Sequence, residues 1–118
     1  MTTDHHTGGC QCGRVRYEVD LSLDAPITCN CSRCERLGAV LAFAPATAFT
    51  LLKGEDAMTE FRFNSGTIQH LFCATCGIQS FSRATAPDGT AGVAINVNCL
   101  DGVDPRALSP THFDGASR

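Results

Sequence analysis

Seven of the eight cysteines fall into three close groups: Cys10-Gln11-Cys12, Cys29-Asn30-Cys31-Ser32-Arg33-Cys34 and Cys73-Ala74-Thr75-Cys76. Thiolates spaced this closely can converge on one soft cation, and tetrahedral zinc with four sulfur ligands is the common closed solution. Seven thiols are one short of two such sites. The count predicts one closed four-sulfur site and one three-sulfur site that keeps a position for water or substrate, the usual form of catalytic zinc. Two zinc ions per chain are expected, the second the more easily lost. The competing chemistry is a disulfide framework, which belongs to oxidising compartments. The start of the chain, MTTDHHTGGC, has no apolar signal stretch, and no run approaches the length of a membrane span. Reduced thiols in the cytoplasm, holding metal, are therefore expected, and no membrane contact.

Two knuckles at the ends of different strands pair naturally around one ion, which joins Cys10 and Cys12 to Cys73 and Cys76. Cys29, Cys31 and Cys34 then share the second ion from a single loop. The alternative draws four ligands from the first two groups and leaves Cys73 and Cys76 exposed. Three thiolates on zinc give a formal charge of −1, a weak generator of hydroxide, and leave the fourth position for water, a substrate thiol or a carbonyl oxygen. Cys99 is read as a small buried hydrophobe, the alternative being a fourth ligand that closes the central site. His70 is expected to be packed beside the metal region, not to ligate. His5, His6 and His112 fall in the ends of the chain.

The elements that must carry these groups are mostly strands. Val15, Tyr17 and Val19 alternate with Arg16, Glu18 and Asp20, the period of a strand with one wet face. Residues 39–44 and 49–53 are short apolar runs stopped by Pro45 and Gly54. Thr59, Phe61 and Phe63 alternate with Glu60, Arg62 and Asn64, and Ser65-Gly66 turns that strand into residues 67–73, so a hairpin ends on the second knuckle. Further strands are predicted over 78–83 and 92–97, and Ser32 to Leu37 forms a helical turn closed by Gly38. Phe43, Phe72 and Phe81 are assigned to the core, the alternative being the wall of an apolar pocket near the metal. The 118 residues make one domain, with loosely held ends over about 1–7 and 110–118. Eleven glycines and no Trp indicate a thin core for which a metal staple matters. The net charge of −3 argues against a general nucleic-acid binder, and edge strands leave a homodimer open.

The strings Gly8-Gly-Cys-Gln-Cys-Gly-Arg-Val-Arg-Tyr17, Cys29-x-Cys-Ser-x-Cys34 and His70-Leu-Phe-Cys-Ala-Thr-Cys-Gly77 together resemble the glutathione-dependent formaldehyde-activating enzyme family, which includes centromere protein V. The resemblance implies a mainly β, antiparallel domain of Mss4-like type. It implies a structural zinc on Cys10, Cys12, Cys73 and Cys76, and a catalytic zinc on Cys29, Cys31 and Cys34. The implied activity is that of a carbon-sulfur lyase working in the direction of synthesis, forming S-(hydroxymethyl)glutathione from formaldehyde and glutathione, or acting on a related thiol and aldehyde. The other function class is a noncatalytic zinc-stabilised module that binds a protein or nucleic acid. Two positions depart from the family pattern: Asn30, where histidine is frequent, and Glu35, where a basic residue is frequent. An acidic side chain there repels the carboxylates of glutathione, and Arg33, Arg36 and Lys53 are the candidate cations to offset it.

Overall fold

The segment that alternates around Tyr17 becomes a central strand, β2 (Arg16–Leu21), with Tyr17, Val19 and Leu21 buried on one face. It pairs antiparallel with β1 (Asp4–Gly9) on one side and β5 (Phe49–Lys53) on the other. This three-stranded sheet faces a second one. The second comprises β3 (Ile27–Cys29), β4 (Leu41–Pro45), β6 (Met58–Phe61), β7 (Gln69–Cys73), β8 (Phe81–Thr85), β9 (Ala91–Asn96) and β10 (Thr111–Phe113), in the order β10-β3-β4-β9-β8-β7-β6. All pairs are antiparallel except β10 with β3. The computed structural model describes residues 3–63 and 65–117; Asn64, assigned from the sequence to the first hairpin strand, lies outside them.

Three rings lock the sheets together. Tyr17 and Phe49 from the smaller sheet meet Phe81 from the larger, with centroids 4.7 to 5.6 Å apart. Burying such rings contributes roughly 1.5–3 kcal/mol each, so this cluster is a large share of a small core. The Tyr17 hydroxyl keeps a partner inside it, donating to the Ser80 carbonyl at 3.2 Å. The mainly β, antiparallel domain expected from the sequence is what the chain forms.

Three details differ from expectation. Phe43 and Phe72 are not core: Phe43 is 57% exposed, because the pleat of β4 turns Ala42 and Ala44 inward, and Phe72 is half-buried outside the core cluster, with the Arg33 guanidinium 5.9 Å from its ring centre. Residues 4–7, expected in a loose end, pair with β2 along its length from Leu21 to Glu18. Residues 111–113, also expected in a loose end, pair with β3. The first segment is polar and the second only three residues long, so neither shows the apolar alternation that marks a strand in sequence.

Candidate metal centres

The β1–β2 hairpin and the end of β7 each make a knuckle. In the first, the Cys10 N–H donates to the Val15 carbonyl at 3.1 Å, and the Val15 N–H returns to Cys10 Sγ at 3.3 Å. The hairpin approaches its neighbours too closely for side chains at Gly8 and Gly9. A Cβ at Gly8 would lie 2.7 Å from the Cys99 carbonyl oxygen, and one at Gly9 would overlap the Val15 carbonyl. In the second knuckle the Gly77 N–H donates to the Cys73 carbonyl at 2.8 Å with Gly77 at φ +80, and the Thr75 N–H points at Cys73 Sγ from 3.4 Å. The four sulfurs of Cys10, Cys12, Cys73 and Cys76 lie within 4.8 Å of one another. Cys12 Sγ is 3.6 Å from both Cys10 Sγ and Cys73 Sγ. The sulfur–sulfur edge of a tetrahedral zinc site with 2.3 Å bonds is about 3.8 Å, so the donor set fits such an ion.

Backbone N–H groups stabilise thiolates in this group. The Ile78 N–H, aided by that of Cys12, draws the Cys76 thiol down to about 6. The Arg14 N–H lowers Cys12, and the Arg14 guanidinium at 3.9 Å assists. Burial pushes Cys10 the other way.

The second group comes from one short stretch. Cys29 ends β3, Cys31 is the N-cap of α1 (Ser32–Leu37), and Cys34 sits in its first turn. A sulfur takes the place of the usual capping oxygen: Cys31 Sγ accepts from the Cys34 N–H at 3.3 Å. The helix stops at Gly38, φ +66, whose N–H returns to the Cys34 carbonyl at 2.9 Å. The three sulfurs are mutually within 4.8 Å and all are partly exposed. Burial pushes Cys34 up to about 12. Burial acts on Cys31 as well, but the N–H of Cys34 and its neighbours outweigh it and the Cys31 thiol is lowered.

A polar chain runs away from α1. Arg33 Nε and Nη2 donate to Gln79 Oε1 at 2.8 and 2.6 Å, and its guanidinium lies 4.8 Å from the centre of Phe61 and 5.9 Å from that of Phe72. Gln79 Nε2 reaches His70 Nδ1 at 3.4 Å. His70 is 5% exposed, and burial first, then the Arg33 charge, lowers its pKa. It lines a small cavity with Cys34 and belongs to neither thiol group. Among the described residues Arg33 has no carboxylate partner, whereas Arg16 is paired with Asp101. Arg36 is spent on the Ser32 carbonyl, and Lys53 lies on β5 opposite Arg16. Glu35 is exposed.

Cys99 joins neither thiol group. It follows β9 in a short helical turn, and burial, with the charges of Cys10 and Cys76, pushes its thiol up to about 11. It lines a cleft of about 490 Å³ with Cys10, Arg16, Gln79 and Asn96. Gln79 and Asn96 also border a cavity of about 20 Å³ beside Cys34. Gln79 was not legible in the sequence; it stands 46 positions from Arg33, and no local spacing links them.

A family model described as glutathione-dependent formaldehyde-activating enzyme matches residues 5–113. The chain belongs to the glutathione-dependent formaldehyde-activating enzyme family. A crystal structure of a protein from Rhodobacter sphaeroides is similar at 32% identity and a TM-score of 0.80, over 91% of this chain and 99% of that one. The stretch matched to the glutathione-dependent formaldehyde-activating family contains both thiol groups and ends at Phe113. Gly115, which lies against Cys29, falls beyond it.

Proposed function

We propose that the chain catalyses carbon–sulfur bond formation between formaldehyde and glutathione, or a closely related small thiol, to give the S-hydroxymethyl adduct. The observation that carries this reading is the convergence of three partly exposed thiols from a single loop, apart from a second group of four. Cys10, Cys12, Cys73 and Cys76 hold a structural zinc and clip β1–β2 to β7. Cys29, Cys31 and Cys34 hold a catalytic zinc. Zinc on three thiolates would supply a place where a substrate thiol loses its proton and stays nucleophilic.

The sulfur attacks the aldehyde carbon, one carbon–sulfur bond forms, the carbonyl π pair moves to oxygen, and that oxygen takes up the proton lost by the thiol. No oxidant or reductant is required. The protein contributes position and charge. Arg33, beside the central thiols and without a carboxylate partner among the described residues, is the cation that receives a substrate carboxylate, and Gln79 holds its guanidinium in place. Glu35 opposes this little because it faces solvent. The reduced cytoplasm, rich in small thiols, suits both the sites and the substrate.

Exchange between free formaldehyde and its glutathione adduct, followed by NMR, tests the reading with Cys31→Ser as control. Acceleration by the native protein and not by the variant is expected. Equal rates with and without native protein carrying two zinc ions would overturn the assignment and leave a zinc-stabilised binding module.

A further inference from the structure

After β10 the chain crosses the loop that carries the central thiols, and Asn30 clasps it at three points. The Asn30 N–H donates to the Phe113 carbonyl at 3.3 Å, Nδ2 donates to Asp114 Oδ1 at 2.9 Å, and Oδ1 accepts from the Ala116 N–H at 2.9 Å. The other Asp114 oxygen accepts from Ser117 Oγ at 2.6 Å, so this carboxylate holds the segment together. Between these contacts Gly115 lies against the site. A Cβ there would stand 2.5 Å from Cys29 Sγ and 3.5 Å from Cys31 Cβ. Gly115 is not among the glycines at positive φ. Room beside the sulfur, not backbone freedom, is what requires a glycine here.

Taking Cys29, Cys31 and Cys34 as the catalytic group, we propose that residues 113–117 are a wall of that site. Gly115 determines how much bulk can approach Cys29, and Asn30 is the positioning residue that holds the wall. Asn30 thereby has a task of its own at a position where the family pattern favours histidine. The wall also makes the site selective by size, since a group must reach Cys29 past a segment fixed at both sides of Gly115.

Alkylation of the purified protein, mapped thiol by thiol by mass spectrometry, tests this without any turnover. Iodoacetamide and its bulky fluorescein conjugate are compared on the native protein and on Asn30→Ala, Asp114→Ala and Gly115→Ala. Asn30→Ala and Asp114→Ala should each raise modification of Cys29 by the bulky reagent about tenfold, the weight of one net hydrogen bond, and bring the bulky-to-small ratio towards one, whereas Gly115→Ala, whose methyl group fills the room beside the sulfur, should lower that ratio further. Cys10, Cys12, Cys73 and Cys76 should remain as slow as in the native protein. An unchanged ratio at Cys29 in all three variants would overturn the proposal. So would a rise shared by all seven thiols, because the clasp would then serve the whole fold. Loss of formaldehyde chemistry with this pattern intact would sink the proposed reaction and leave the wall standing.

Discussion

Replacing Gly9 by alanine is a severe test of the account of the first knuckle. The new Cβ would overlap the Val15 carbonyl oxygen and lie 2.9 Å from Arg16 Cδ. The Val15 oxygen cannot simply withdraw, because it accepts the Cys10 N–H that closes the knuckle. Forcing a methyl group against fixed backbone costs about 3 kcal/mol. With an unfolding entropy of about 0.25 kcal/mol/K for 118 residues, the melting temperature should fall by about 12 °C. Gly13→Ala isolates the other reason for a glycine: at φ +84 with nothing within 4 Å of its Cβ, it pays only left-handed strain of about 1 kcal/mol, hence about 4 °C. Thermal melts by circular dichroism, with zinc content after brief chelation, read both effects. Gly9→Ala should also lose metal from the four-thiol group first. If Gly9→Ala melts within 4 °C of the native protein, or Gly13→Ala costs as much, close approach is not what fixes the hairpin.

Tyr17→Phe should lower stability by about 1 kcal/mol in urea titrations, because one buried hydrogen bond to the Ser80 carbonyl is lost while the Asn96 N–H remains on that oxygen at 3.0 Å; no loss would mean that the bond contributes nothing. Cys99→Ser should leave zinc content unchanged, since Cys99 belongs to neither thiol group, and a loss of one equivalent would restore it as a ligand. His70 has a folded pKa below its ordinary value of 6.5, so below that value the unfolded chain binds more protons and stability falls with acidification until the folded pKa is passed. His70→Phe should flatten the decline that begins below pH about 6.5. Parallel curves for the two proteins, measured by urea midpoint, would remove His70 from the acid response.

The parts of the structure legible in sequence were those with a local signature. Val15, Tyr17 and Val19 point inward as their spacing requires, the hairpin pairs Phe61 with His70, and the helical turn runs from Ser32 to Leu37 and stops at Gly38. The thiol groups are equally local, because each knuckle is a turn whose spacing is its geometry. What escaped was non-local. No periodicity in Asp4–Gly9 marks an edge strand, and three residues at Thr111–Phe113 carry too little pattern to show that they pair with β3. Phe43 was misplaced because hydrophobicity alone does not say which face of a strand the small alanines will occupy. The partners of Arg33 and Asn30 lie 46 and more than 80 positions away. Those contacts depend on the completed sheet order and leave no spacing to read.

The parallel pairing of β10 with β3 also fixes an order of events during synthesis. The four-thiol group is complete at Cys76 and the turn that closes its second knuckle at Ile78, so a growing chain could take up an ion there while later residues are still being added. The wall against Cys29 comes only from residues 113–117. For that interval Cys29, Cys31 and Cys34 are exposed on a partly assembled sheet, open to oxidants and to the wrong soft cation. A pause in translation between residues 76 and 113 would lengthen this vulnerable period without touching any residue of the finished site.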